Sequence, residues 1–227
     1  MITPNEGPKA PYHVLIGIPT GENVKMGFAF DLAHLVGTTV AHTPDIVVSP
    51  LMLQGSILPS TRQNIVLEAL GSEATHILWI DSDMRFPADT LLRLLEHDKD
   101  IVACNATTRK MPIVPVTKKK VDGVIELVYT KPESHGLESV DFIGFGCVLT
   151  KVDVFRKLPL PHFHLLYRKE TAEFGGEDSF FSYHAKANGF ELLIDHDLSK
   201  EIGHIGDFTY QHEHAYALIE RKIVSAV

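Results

Sequence analysis

The sequence predicts an α/β fold, and three observations carry that reading. Short apolar runs of strand length alternate with stretches of helical spacing. Turn and capping residues fall between them. The 227 residues suffice for one domain with a sizeable core. Val14 to Ile18 is the first strand, stopped by Pro19. Val24, Phe28, Leu32 and Leu35 follow at helical spacing, and Gly37 sits where a C-cap belongs. Ile46-Val47-Val48 is the second strand, ended by Pro50. Ser60-Thr61-Arg62-Gln63 has capping-box spacing and opens a helix to Leu70, with Gly71 behind it. Ile77-Leu78-Trp79-Ile80 is the third strand, with Trp79 in the core. Pro87 starts a helix carrying Leu91, Leu92, Leu94 and Leu95, and Ile101 to Cys104 is the fourth strand. This order predicts a parallel sheet covered by helices.

The second half reads differently. Val114 to Thr117 and Val124 to Val128 flank Asp122-Gly123, the pattern of an antiparallel hairpin. Val140 to Leu149 is a strand interrupted by Gly144 and Gly146. A helix runs from Glu177 to Gly189, Phe190 to Ile194 returns as a strand, and a helix is expected over 208–227. Phe163, Leu165 and Tyr167 alternate as in a strand or flap. The chain is thus expected to be a single domain over 1–227: a nucleotide-binding half over about 13–110 and a mixed half over about 111–207.

Composition excludes several function classes. The formal net charge is −8 with both signs interspersed, so no nucleic-acid footprint is present. The longest basic run, Lys118 to Lys120, reads first as a solvated hairpin shoulder and second as an anionic-ligand contact. Cys104 and Cys147 lie far apart in sequence, each in an apolar segment, which implies neither a disulfide framework nor a zinc site. A reducing, cytoplasmic setting is expected. The N-terminus lacks a signal pattern and no apolar stretch is long enough to span a bilayer, so the protein is expected to be soluble or held at a membrane by a partner.

The sharpest local feature is Asp81-Ser82-Asp83, directly after the third strand. Ligands of open α/β sheets bind beyond the carboxyl ends of strands. Two carboxylates there can hold a hard divalent cation that bridges a diphosphate. The same residues also suit a plain strand-end turn. A phosphatase-type Asp-x-Asp nucleophile would follow the first strand instead. Gly175-Gly176-Glu177-Asp178 opens a helix, whose positive end favours ionised carboxylates, though such residues also make an ordinary helix start. Gly203-His204-Ile205-Gly206 offers either a metal ligand or a loop histidine. Other acidic and histidine groups read as structural. Asp195-His196-Asp197 is expected as a strand-end turn at the sheet edge, and His162 and His164, flanking Phe163, at the surface, with the lining of an acceptor cleft as the alternative. His212 and His214 stand two apart on a helix and do not share a face.

In order along the chain, Ile18-Pro19-Thr20, Arg62, Asp81-Ser82-Asp83, Gly144-Phe145-Gly146, Gly176-Glu177-Asp178 and Gly203-His204 resemble the motif series of family-2-type GT-A glycosyltransferases. The match runs from about residue 13 to residue 207. Gly175 to Asp178 also resembles the acceptor-side motif of β-1,4-galactosyltransferase-like enzymes, and Gly203-His204 the metal histidine of several GT-A branches. The resemblance implies a GT-A fold and a cofactor, Mn²⁺ or Mg²⁺. It makes Asp83 the direct metal ligand, His204 a further one, and Asp81 a carboxylate near metal, ribose and donor sugar. Asp178 matches the catalytic base of inverting members, with Glu177 toward the acceptor and Gly144, Gly146 and Gly176 on the acceptor side. Pro19, Thr20 and Glu22 match the loop by the nucleotide base, and Arg62 a donor contact. A nucleotide-sugar donor, with a uridine nucleotide favoured, and an acceptor hydroxyl are the implied partners. The C-terminal part is short, and the Gln-x-x-Arg-Trp motif of processive synthases is missing, which speaks against polymerisation. Two alternatives stand beside this reading. A nucleotidyltransferase of similar fold would carry basic residues in the loop occupied here by Pro19-Thr20-Gly21-Glu22. A non-catalytic sugar-nucleotide or glycan-binding protein is the other.

Overall fold

The computed structural model describes residues 12–169, 172–206, 209–213, 215 and 216. The first half follows the expected alternation: β1 (Tyr12–Thr20), α1 (Met26–His42), β2 (Ile46–Gln54), α2 (Leu58–Leu70), β3 (His76–Ile80), a short β4 (Met84–Arg85), α3 (Thr90–Glu96) and β5 (Ile101–Ala103). Then come the hairpin β6 (Lys118–Val121) and β7 (Val124–Leu127), followed by β8 (Leu137–Val140), β9 (Cys147–Lys151) and α4 (Val152–Lys157). A second hairpin pairs β10 (Leu166–Arg168) with β11 (Glu173–Gly175) and leads into α5 (Glu177–Ala187). The described chain ends with β12 (Leu192–Asp195), α6 (His196–Ser199), β13 (Gly203–Ile205) and β14 (Thr209–Tyr210).

Seven strands form the central sheet in the order β2-β1-β3-β9-β5-β12-β8. The sheet is mixed, not parallel. Strand β9 runs antiparallel between β3 and β5, and β8 runs antiparallel beside β12. A strand buried on both faces reads as an unbroken apolar run whichever way it points, so periodicity carries no direction. The expected strand Val140 to Leu149 is two strands joined by a bend. Gly144 sits in that bend with no room for a side chain, since a Cβ there would come 2.7 Å from Val116.

Helices cover both faces. Ile77 and Trp79 of β3 point into a core shared with Ile65 and Val66 of α2, Phe155 of α4 and Phe181 of α5. Leu78 and Ile80, one residue out of phase, point to the other face with Leu32 and Leu35 of α1, Leu91 and Leu94 of α3, and Leu198 of α6. Alternation along a central strand thus feeds two separate cores. Gly17 of β1 lets α2 close on the sheet, because a Cβ there would meet Ile65 at 2.6 Å. Trp79 is fully buried and donates its Nε1–H to Thr150 Oγ1 at 3.0 Å.

Several local expectations are corrected. Helix α1 continues through Gly37 and stops at Thr43, whose N–H and hydroxyl both return to Thr39 O. Strand β2 runs through Pro50 because it lies at the sheet edge, where a missing N–H breaks no ladder bond. Ser60 lies inside α2 rather than capping it, and α3 begins at Thr90, not Pro87. The hairpin turn at Asp122-Gly123 is as expected, with φ of 50° and 86°, but its first strand is the lysine run and not Val114 to Thr117. Asp195, the last residue of β12, and His196, the first of α6, are buried rather than at the sheet edge, with β12 between β5 and β8. His162 is buried too, bonded to Phe155 O at 3.0 Å, whereas His164 is exposed. Cys104, just past the end of β5, and Cys147, the first residue of neighbouring β9, are free thiols distant in sequence, with Cys104 N donating to Cys147 O at 2.8 Å. Most of the helix expected over 208–227, His214 included, lies outside the described residues. Thr209–Tyr210 is strand, and His212 is helical and buried against Asn105 O. Among the described residues no helix is long and apolar enough to cross a membrane.

Thr150→Val should strand the buried Trp79 N–H without changing the shape of the site. The expected loss is about 1–3 kcal/mol, read by urea unfolding of the chain's one tryptophan. An unchanged midpoint would mean that this bond contributes nothing.

Candidate functional site

The ends of β1 and β3 are neighbours because the two strands pair in parallel. That places Pro19 and Thr20 beside Asp81-Ser82-Asp83, at the carboxyl edge of the sheet. The backbone holds the acidic turn from three sides. Asp81 N–H donates to Gly146 O at 3.1 Å, Met84 N–H to Asp81 O at 3.1 Å, and Lys25 N–H to Ser82 O at 3.2 Å. Gly146 serves this packing, since a Cβ there would press on Met84 at 3.1 Å. Strand β13 then pairs with β4, setting His204 opposite Met84, and Ile205 N–H donates to Asp83 O at 2.7 Å. The result is an open cleft of about 290 Å³ lined by Pro19, Thr20, Asp81, Asp83 and His204. Glu22 lies exposed just past Gly21 and does not line it.

His204 and Asp83 meet in the cleft, Nε2 to Oδ1 at 3.3 Å. The other ring nitrogen, Nδ1, lies 2.7 Å from Thr107 O. A carbonyl can only accept, so Nδ1 carries a proton and donates it. In the neutral ring Nε2 then presents a lone pair to a carboxylate oxygen. That contact calls for a positive charge, either a second proton on the ring or a cation between the two groups. Arg109, which the sequence reading missed, pairs with Asp83 Oδ2 at 2.7 Å. Burial pushes the Asp83 carboxyl up, but His204 and Arg109 outweigh it and hold it below its ordinary value. Among the described residues no three of the His, Cys, Asp and Glu side chains converge as a metal cage. Asp81, expected as a further ligand, commits Oδ1 to Arg62.

Arg62 is the link between the two acidic motifs. Its side chain is 1% exposed, under the cleft rather than in it. Nη2 donates to Asp81 Oδ1 at 2.9 Å, and Nε donates to Glu177 Oε1 at 3.1 Å. The guanidinium lies 5.0 Å from the Phe145 ring centre and 5.9 Å from that of Trp79. The expected direct donor contact by Arg62 is therefore replaced by a buried clamp. Burial raises the Asp81 carboxyl, with Arg62 pulling the other way and Asp83 adding to the rise.

Helix α5 starts at Glu177, after an extended Gly176. The Asp178 carboxylate folds back onto its own helix end, accepting from Ser179 N–H at 2.6 Å. A Cβ at Gly176 would come within 2.5 Å of Asp178 Oδ1, so a side chain there would displace the Asp178 carboxylate from this position. The positive helix end was expected to favour the ionised form. Instead burial, and then the Glu177 charge, raise the Asp178 carboxyl above its ordinary value. Arg109 had one legible signal: it lies in the loop after β5, another carboxyl end of a sheet strand. Thr107 had none, since its backbone oxygen does the work.

No protein-family model matches the chain, and no curated protein matches it in sequence. Among solved structures it is similar to A197 from STIV, with a TM-score of 0.55, 14% identity and 86% of each chain covered. At that identity the likeness speaks to the fold: a mixed α/β domain around one central sheet.

The raised Asp178 carboxyl makes a stability prediction. A carboxyl whose folded value exceeds its unfolded one favours the folded state below the ordinary value of 3.8, and that advantage is lost as pH rises through the folded value. Asp178→Asn should therefore raise the thermal midpoint at pH 7 relative to wild type, with the gain shrinking toward pH 3. A midpoint that falls at pH 7 would show that the ionised group is stabilised where it stands.

Proposed function

We propose that this protein is a GT-A-type glycosyltransferase that moves a sugar from a nucleotide diphosphate donor to an acceptor hydroxyl, with inversion. The observation that supports it most is the Arg62 clamp. One buried guanidinium holds Asp81 of the strand-end motif and Glu177 of the helix-start motif, so two acidic motifs far apart in sequence are tied together at one buried point. A donor at the strand ends and an acceptor at the α5 start would then meet over Arg62.

Two side chains in the cleft, Asp83 and His204, could hold a divalent cation, with no third side-chain ligand converging on them among the described residues. A carboxylate and an imidazole with its lone pair turned toward that carboxylate suit Mn²⁺ or Mg²⁺. Asp83 and His204 would hold the ion, which when bound offsets charge on the departing diphosphate. Pro19 and Thr20 flank the nucleotide at the strand ends, with a uridine base as the favoured occupant. Asp178 takes the proton of the acceptor hydroxyl as that oxygen bonds to the anomeric carbon, and the diphosphate leaves with its bonding pair. A base works best with a pKa near the working pH, so the upward push on Asp178 suits the role. Glu177, tied to Arg62, keeps the α5 start in register with Asp81. The free, unbridged Cys104 and Cys147 suit a cytoplasmic setting.

Two substitutions test the reading. Asp83→Ala should abolish Mn²⁺-dependent thermal stabilisation by nucleotide diphosphate while the protein stays folded by circular dichroism. Persisting stabilisation would remove Asp83 from the site. Asp178→Asn should keep that stabilisation and lower kcat by about 10²–10⁴-fold. Wild-type turnover in this variant, or a product that retains the donor's anomeric configuration, would overturn the inverting mechanism.

A further inference from the structure

Arg109 occupies the cleft in a way that the proposed reaction does not explain. It extends from the loop after β5, and its side chain is 49% exposed. Its guanidinium lies 2.7 Å from Asp83 Oδ2, on the carboxylate assigned to the cation. The same loop supplies Thr107 O, which orients His204, and it is tied down by the Thr107–Pro115 bridge and by Thr108 N–H to Val114 O at 2.9 Å. Backbone contacts thus tie the loop down, while about half of the Arg109 side chain is open to solvent.

Resting on the glycosyltransferase reading, we propose that Arg109 is an exchangeable anion-binding residue. It neutralises Asp83 while the cation site is vacant, then trades that carboxylate for the donor's diphosphate when a divalent cation arrives. Charge drives the exchange in both directions. Without a cation, Asp81 and Asp83 stand two residues apart in one cleft, and Arg62 answers only Asp81. Arg109 on Oδ2 answers the second charge together with His204 on Oδ1. A dication on Asp83 and His204 removes the reason for that pairing and repels the guanidinium. A diphosphate beside the cation then offers oxygens in the forked geometry that guanidinium favours. Arg109 lines the same cleft as Asp83 and His204, so the swing is a rotation of one side chain and needs no backbone shift. A residue that only braced Asp83 would help both ligands. The exchange demands opposite effects on the two.

Calorimetry on wild type and Arg109→Met tests this with two probes: Mn²⁺ alone, and inorganic pyrophosphate added to Mn²⁺-loaded protein. Removing the competitor should tighten Mn²⁺ by about two- to fivefold, the size of one exposed ion pair. Losing the guanidinium should weaken pyrophosphate by about tenfold or more, the size of a charge-assisted bond. Arg109→Lys should restore part of the pyrophosphate affinity. If Mn²⁺ binds wild type but binds Arg109→Met equally or more weakly, or if pyrophosphate affinity does not change, the exchange is overturned while the metal site stands. If Mn²⁺ binds neither protein, the metal reading fails and takes the exchange with it.

Discussion

The buried ion pairs of Arg62 are the constraint on which the rest of the site depends. A guanidinium that is 1% exposed is costly unless its charge is answered. Asp81 and Glu177 answer it from different halves of the chain, and the faces of Phe145 and Trp79 lie near it. Each partner brings its neighbours. Asp81 carries Ser82 and Asp83, and Glu177 carries Asp178 and the start of α5. Removing the guanidinium would leave two acids without their buried partner, so the arrangement specifies geometry as much as it stabilises. One buried nitrogen, Nη1, finds no hydrogen-bond partner among the described residues, which is the cost of placing a three-nitrogen group between two carboxylates.

The mixed sheet makes this pairing reachable. Strand β9 enters between β3 and β5, and the residue before it, Gly146, gives its carbonyl to Asp81 N–H. The bend that feeds β9 also carries Phe145, which lies over Arg62. Gly144 and Gly146 are therefore explained by close packing against Val116 and Met84. Had β9 been a parallel neighbour, its other end would lie beside Asp81.

The carboxylates of the site are driven apart in acidity by their surroundings. Asp83, between His204 and Arg109, is held low, and Asp178, half-buried beside Glu177, is pushed up. A low carboxylate suits holding a cation, and a raised one suits moving a proton. The two proposed roles would thus follow from what surrounds each carboxyl rather than from residue type, since both are aspartates.

Periodicity and turn chemistry by themselves determined the α/β class, the positions of β1, β3, β5 and β12, the start of α5, and the Asp122-Gly123 turn. These are set by local chain geometry: which residues alternate, which cannot adopt a helix, and which tolerate positive φ. Local rules also singled out Asp81, Asp83, Glu177, Asp178 and His204, because strand ends, helix starts and glycine-flanked histidines are legible along the chain. Only the tertiary structure decided the direction of β9, the burial of His162 and His196, the place of Arg62 beneath the cleft, and the presence of Arg109 within it. Arg62 pairs with a residue 115 positions away, and His204 takes its orientation from a backbone oxygen 97 positions away. Contacts at such separation leave no periodic trace, because the chain between them folds as independent elements and only their packing brings the ends together.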